Sequence, residues 1–299
     1  MAQHDVDADP MAERIETAAV LGAGLMGTGI AAHLAGAGIR THLLDMVPKG
    51  ADDDPKSRSR LAIDAIQKAL KSKPATFYDP SAARLVTPGN FEDHLDRLAE
   101  CDLVIEAVVE NMDIKQKLFA RVEPHLAKHA ILASNTSGLK IAEMTRDLSD
   151  DVKSRFLVLH FFNPVRYMRL LEIIRGEKTS DDAVERAASF GEFLGKGVVY
   201  GKDTVNFVAN RIGIYAIMKA IRLMQEQDLS IEEVDKIAGP PMARPKSAAF
   251  KTGDLVGLDT FMHVAKNCYD NLTEDEERDV FQPPDWIEEL VEKGAVGRK

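Results

Sequence analysis

The chain predicts an α/β fold in which a doubly wound sheet domain is followed by a smaller all-helical domain. Three observations carry that expectation. Short apolar runs alternate with amphipathic stretches of helical period as far as about residue 202. A glycine cluster stands at the first strand-to-helix turn, and strand-like patterning stops beyond Lys202. With 299 residues, two moderate domains are the expected division: a disordered tail at 1–14, a sheet domain at 15–202 and a helical domain at 203–299.

Composition narrows the function classes. Hydrophobic residues at 45% and charged residues at 29% suit a globular enzyme. No apolar run approaches the roughly 18 to 20 residues that a membrane-spanning helix needs. The net charge is −10, of which Asp5, Asp7, Asp9 and Glu13 supply four, and the remaining charge of about −6 argues against nucleic-acid binding. The acidic amino terminus has neither the basic flank and apolar run of a secretion signal nor the Arg-rich character of a transit peptide. Cys101 and Cys268 lie far apart and outside any metal-ligand spacing, which fits a reducing cytoplasm and no metal site.

Residues 15–38 read as a short strand, then Gly22-x-Gly24-x-x-Gly27 with Leu25 and Met26 between the glycines, then an Ala-rich helix. The first glycine permits the tight turn, the second a close approach of backbone to a pyrophosphate, and the third the packing of helix on strand. A second strand at 41–44 leads to Asp45. A carboxylate there accepts bonds from ribose hydroxyls and repels a 2′-phosphate, so NAD is expected rather than NADP, within a Rossmann-type domain.

Next comes a polar insertion, ADDDPKSRSR, and a helix at about 61–71 whose Leu61, Ile63, Ile66 and Leu70 give it an apolar side. Lys68 and Lys71 near its end are either solvated or placed to meet the phosphates of a coenzyme A carrier. The basic set also includes Lys56, Arg58, Arg60 and Lys73. The run 102–111, DLVIEAVVEN, is expected to be a buried strand that leaves Glu106 and Glu110 at its end, with a helix at 115–126 after it. Glu110 can contact a nicotinamide ribose, paired with Lys115, or it can cap the helix. A strand at 130–133 gives way to Ser134-Asn-Thr-Ser137-Gly, residues that commonly cap helices but here cluster at a strand end.

The segment 156–172, FLVLHFFNPVRYMRLLE, begins as a run that fits a strand covered on both faces. His160 is expected where this strand emerges. Ligands of open α/β sheets bind at that end, so His160 is a candidate catalyst as well as a candidate structural partner of a carboxylate. A neutral imidazole is suited to taking the proton of a secondary alcohol as hydride leaves its carbon. A strand at 170–174, a helix at 181–194 and an edge strand at Val198 and Val199 complete the sheet domain. Helices are then expected at 205–225, from a Ser230 capping box, at 254–269 and at 285–292. A helical module this small commonly buries its apolar stripes against a second copy, so a homodimer through it is expected.

Taken in order, GAGLMGTGIA, EAVVEN, SNTSG, HFFNP with Glu172, KDTVNFVANR and DLVGLDT resemble the L-3-hydroxyacyl-CoA dehydrogenases of fatty-acid β-oxidation. The stretch RPKSAAFKTGDLVGLDTFMHVAKN is similar to the dehydrogenase portion of long prokaryotic proteins that also carry an enoyl-CoA hydratase. No hydratase region stands in these residues, which leaves a fragment and a stand-alone version both open. The resemblance implies His160 as catalytic base with Glu172 as its partner, and Ser137 and Asn210 as holders of the substrate's oxygens. It further implies NAD contacts from Gly22, Gly24, Leu25, Met26, Gly27, Asp45, Glu110, Lys115, Ser137 and Asn163. The implied reaction is NAD-dependent oxidation of L-3-hydroxyacyl-CoA to 3-ketoacyl-CoA. A dehydrogenase of a free hydroxy acid and a non-catalytic NAD-binding relative are the alternatives.

The chain departs from the family pattern in three places. Val205-Asn206 stands where a proline is usual, so a less rigid lead-in to the Asn210 helix is expected. Gly239-Pro-Pro-Met-Ala-Arg244 alters what reads as an interdomain loop. A glycine-rich, Phe-Tyr-containing closing segment is missing after Lys299, which is expected to loosen the second domain.

Overall fold

The computed structural model describes residues 15–298, so the expected tail at 1–14 lies outside the described residues. The chain forms two compact units that divide between Asp203 and Thr204. The first is built on one sheet with strands β1 (Thr17–Leu21), β2 (Arg40–Asp45), β3 (Val86–Asn90), β4 (Leu103–Glu106), β5 (Ile131–Ser134), β6 (Phe156–Phe161), β7 (Leu170–Arg175) and β8 (Gly197–Gly201). Their order across the sheet is β3-β2-β1-β4-β5-β6-β7-β8. Strands β1 to β6 pair in parallel, and β1, β4, β5 and β6 are buried along their whole length, as strands covered on both faces must be.

One strand of this sheet departs from the sequence reading, and the direction of another goes beyond it. Strand β3, VTPGN, is not expected at all, because Pro88 and Gly89 argue against a strand. It pairs with β2 alone, and a sheet edge is where a proline is tolerated. Strand β7 runs antiparallel to β6, with only residues 162–169 between them, too few for a parallel crossover. Strand β8 then pairs in parallel with β7.

The polar insertion is not a plain loop. Asp54 caps a short helix, Pro55–Arg58, by accepting a bond from the Ser57 amide, and Arg60–Lys71 follows at once. Two of the basic residues there are already paired, Arg58 with Asp93 at 2.7 Å and Arg60 with Asp64 at 3.3 Å, which removes them from the set free to face an anionic ligand.

The second unit holds helices Ala209–Glu226, Ile231–Ile237, Phe250–Val256, Leu258–Asn271 and Asp285–Glu292. Met218, Ile221, Phe261, Ala265, Phe281 and Ile287 form its core. The capping box at Ser230 and Glu233 is present. The helix expected at 254–269 is two helices parted at Gly257, whose φ of 96° a glycine accepts without strain. The lead-in to the Asn210 helix is held without a proline: buried Asn206 donates to the Val264 carbonyl at 3.0 Å and accepts from Asn267 at 2.9 Å. The Gly239–Arg244 stretch lies inside the second unit rather than between units. Next to it, Asp235 accepts the amides of Ala249, Phe250 and Lys251 and so caps the following helix. Arg298 donates to Asp254, from its amide to the carbonyl at 3.0 Å and from Nε to the carboxylate at 2.6 Å. Among the described residues no helix is long and apolar enough to cross a membrane.

Candidate active site

The site is assembled at the carboxyl ends of β1, β4, β5 and β6. At β1, Gly22 adopts φ 110°, and a Cβ there would stand 2.6 Å from the Ala107 carbonyl oxygen. A Cβ on Gly27 would stand 1.8 Å from the Gly22 carbonyl oxygen, so helix Leu25–Gly36 can approach β1 this closely only with glycine at that position. Gly24 is different: nothing lies within 4 Å of its missing Cβ. It caps the helix with extended backbone and no side-chain partner, leaving open amides at a helix amino terminus, the arrangement that fits a pyrophosphate. Leu25 is 75% exposed beside it and Met26 is half-buried. Asp45, the last residue of β2, accepts the Ala23 amide with Oδ2 and the Met46 amide with Oδ1, both at 2.6 Å, which fixes its carboxylate against the glycine loop.

A charged network covers the ends of β4 and β5. Glu106 closes β4 and is fully buried, as is Lys115. Both Glu106 oxygens accept from the Lys115 ammonium, at 2.7 and 2.8 Å. Oε1 also accepts the Val108 amide at 2.7 Å, and Oε2 the Ser134 hydroxyl at 2.6 Å. Lys115 reaches Glu110 as well, at 3.2 Å. Glu110 Oε1 in turn accepts the Thr136 hydroxyl at 2.5 Å, the Ser137 amide at 2.9 Å and the Ser137 hydroxyl at 3.3 Å. Partial burial by itself would raise the Glu110 carboxyl; the Lys115 charge and the bonds from Thr136 and Ser137 outweigh it and hold the group below the usual carboxylate range. Glu110 does not cap the next helix, Met112–Val122; Asn111 does so through the Ile114 amide.

His160 lies within β6 rather than beyond it, 5% exposed, because the strand continues to Phe161. Its register partner on β7 is Glu172, also fully buried, and His160 Nδ1 stands 2.7 Å from Glu172 Oε2. Direct opposition in an antiparallel pair brings the two side chains to one face of the sheet, which neither strand could do alone. Asn135 Oδ1 accepts the Phe161 amide at 2.9 Å, tying the Ser134–Ser137 turn to the end of β6. Asn163 is exposed on the turn that follows. Val165 of that turn packs against Gly29 of the first helix, and buried Lys196 donates to the carbonyls of Val165 at 2.6 Å and Met168 at 2.9 Å. Burial pulls the Lys196 ammonium down to about 8.

A cleft of about 260 Å³ opens beside the glycine loop, lined among others by Gly24, Leu25, Thr28, Lys68, Ser72 and Thr76. Lys68 and Lys71 are both exposed, and of the two Lys68 lines the cleft whereas Lys71 does not. Asn210 is half-buried in the first turn of helix Ala209–Glu226, in the second unit. Sequence reasoning named Glu106 only as a strand-end residue, took Asn135 only as one of the strand-end cluster 134–137, and passed over Lys196. The signal for Glu106 is its place as the one charged residue closing an otherwise apolar β4; Lys196 acts through backbone partners that no motif announces.

Comparison with known proteins agrees with this construction. Residues 17–204 match the family model described as 3-hydroxyacyl-CoA dehydrogenase, NAD binding domain, and residues 207–299 match its C-terminal domain. A probable 3-hydroxyacyl-CoA dehydrogenase of Bacillus subtilis is 48% identical over 97% of this chain, which spans only 38% of that relative's length. A probable 3-hydroxyacyl-CoA dehydrogenase of Deinococcus radiodurans is 42% identical, covering 96% of this chain and 81% of its own. The crystal structure of the (S)-3-hydroxybutyryl-CoA dehydrogenase of Ralstonia eutropha superposes with a TM-score of 0.76 at 29% identity, covering 95% of this chain and 96% of its own. Two glycine-loop contacts, a strand-end carboxylate and the matched NAD-binding domain make NAD the cofactor, and the chain belongs to the 3-hydroxyacyl-CoA dehydrogenase family.

Proposed function

We propose that the chain oxidises the 3-hydroxyl group of an L-3-hydroxyacyl-CoA to a ketone, with His160 as general base. The observation that carries this reading is the buried His160–Glu172 pair at 2.7 Å, set in the strand next but one to the Glu106-bearing β4. With Nδ1 engaged by the carboxylate, Nε2 is the nitrogen that takes the hydroxyl proton, and Glu172 orients the ring and stabilises the imidazolium that forms. Bound NAD supplies the hydride acceptor. The glycine loop would hold its pyrophosphate, Asp45 its adenosine ribose, and Glu110, Lys115, Ser137 and Asn163 its nicotinamide half. Ser137 and Asn210 would hold the substrate's oxygens, and Lys68 the phosphates of the CoA carrier.

The test is consumption of NADH with acetoacetyl-CoA and with a long-chain 3-ketoacyl-CoA side by side. Turnover of either supports the reading, and silence with both overturns it. Equal turnover of the free keto acid would point instead to a dehydrogenase of free hydroxy acids. His160→Ala should lower turnover by about two to four powers of ten with NAD binding retained. Lys68→Ala should raise KM for the CoA substrate severalfold at unchanged kcat. A place in fatty-acid β-oxidation in the cytoplasm and a homodimer through the helical unit complete the proposal. The exposed Ile212, Ile237, Met242 and Leu255 of that unit support the dimer, and sedimentation equilibrium tests it.

A further inference from the structure

The strand order decides where a hydride acceptor has to lie. The glycine loop follows β1 and His160 sits on β6, with β4 and β5 between them. Neighbouring strands are about 4.8 Å apart, so the loop and His160 are separated by three spacings, roughly 14 Å. A dinucleotide with its pyrophosphate on the loop and its redox end at His160 therefore lies across the carboxyl ends of β4 and β5. Those ends carry Glu106 and its register neighbour Ser134.

Three charged groups are joined there: Glu106 and Glu110, each a carboxylate, and the Lys115 ammonium that bonds both. Glu106 accepts four bonds, two from Lys115 and one each from Val108 and Ser134, all of them made by donors to its two oxygens. Two carboxylates against one ammonium leave a single negative charge. Lys115 would be matched by Glu110 alone, and an apolar residue at the end of β4 would avoid the cost of burying another carboxylate. Glu106 is thus the group that makes the network an anion. The nicotinamide ring carries a positive charge when oxidised and none when reduced, so an anion beneath it discriminates between the two states.

We propose that Glu106 is a specificity-determining residue that favours the oxidised over the reduced dinucleotide by giving the Glu106–Lys115–Glu110 network its net negative charge. The inference rests on the reading that NAD bridges the glycine loop and His160. One elementary charge within several ångströms of the ring, at an effective dielectric between those of protein and water, shifts relative affinity by about three- to tenfold.

The experiment measures Kd for NAD⁺ and for NADH by titration calorimetry on the full chain. Wild type, Glu106→Gln and the double variant Glu106→Gln/Lys115→Met carry network charges of −1, 0 and −1 when the charges of the three residues are summed. The ratio Kd(NAD⁺)/Kd(NADH) should rise about three- to tenfold in Glu106→Gln and return to within about twofold of wild type in the double variant. A structural role would weaken both ligands together, so an unchanged ratio in the single variant overturns the proposal, as does a double variant that keeps the single variant's ratio. If Glu106→Gln fails to fold by circular dichroism, Glu106→Met, which also takes the network to 0, should raise the ratio by a similar factor, and a ratio that does not rise overturns the proposal. A wild-type chain that binds neither dinucleotide overturns the cofactor reading and this inference with it.

Discussion

Replacing Glu172 by glutamine isolates the charge behind His160 from the shape of the site. Glu172 is fully buried at 0% exposure and its oxygen stands 2.7 Å from His160 Nδ1. Glutamine is of nearly the same size, and its amide oxygen can still accept from Nδ1, so orientation and tautomer persist while the charge is lost. With both charges delocalised, their centres lie roughly 4 Å apart, and at an effective dielectric of about 20 the attraction between carboxylate and imidazolium is about 4 kcal/mol. Only the imidazolium formed as the substrate loses its proton feels that attraction, so the loss falls on the transition state. At about 1.4 kcal/mol per tenfold in rate, and allowing for some relaxation, kcat for the hydroxyacyl-CoA should fall by about two to three powers of ten. KM should stay within about threefold. The assay is initial-rate NADH formation over a range of substrate concentrations, with NAD binding measured separately by calorimetry. A kcat within tenfold of wild type would show that the carboxylate does not stabilise a developing imidazolium, and the general-base reading would lose its support.

One further pair of variants and one single variant test other parts of the sheet domain. Gly27→Ala forces a Cβ to within 1.8 Å of the Gly22 carbonyl oxygen and should cost about 2–3 kcal/mol in urea unfolding, whereas Gly24→Ala meets nothing within 4 Å and should keep that stability while weakening NAD binding. Equal stability of the two variants would contradict the packing argument. Burial, with the Lys196 charge second and against a bond to the Leu194 carbonyl, lowers the His33 imidazole from 6.5 to about 4. A folded value below the unfolded one means that this stabilisation is complete above about pH 6.5 and is lost as pH falls toward about 4, by roughly 2–3 kcal/mol. His33→Gln should therefore flatten the acid limb of a stability–pH curve measured by urea unfolding; an acid limb identical to wild type would refute the assignment.

Much of the site is legible in the chain because its parts are local. The glycine loop, Asp45 at the end of β2 and the cluster at Ser134–Ser137 each sit at a strand end where the neighbouring residues announce a turn or a helix start. What sequence patterning missed has a physical cause in each case. The signature of β3 is erased by Pro88 and Gly89, which only its edge position makes acceptable. The helix expected at 254–269 keeps its apolar period through Gly257, and a period carries no information about a break in φ. The lead-in to the Asn210 helix looked unsupported because its support is a buried side chain, Asn206, bonded to residues about sixty positions away.

The sequence by itself determined the class of fold, the cofactor loop and the identity of the titratable groups, because periodicity, glycine spacing and strand-end residues act over a few positions along the chain. Only the tertiary structure decided how those groups are joined. Pairing of β6 with β7 in antiparallel register puts Glu172 opposite His160, and the adjacency of β4 and β5 brings the Ser134 hydroxyl to Glu106 and the Thr136 hydroxyl and Ser137 amide to Glu110. Hydrogen bonds and ion pairs act over a few ångströms of space whatever the distance in sequence, and the strand order of the folded sheet sets those distances.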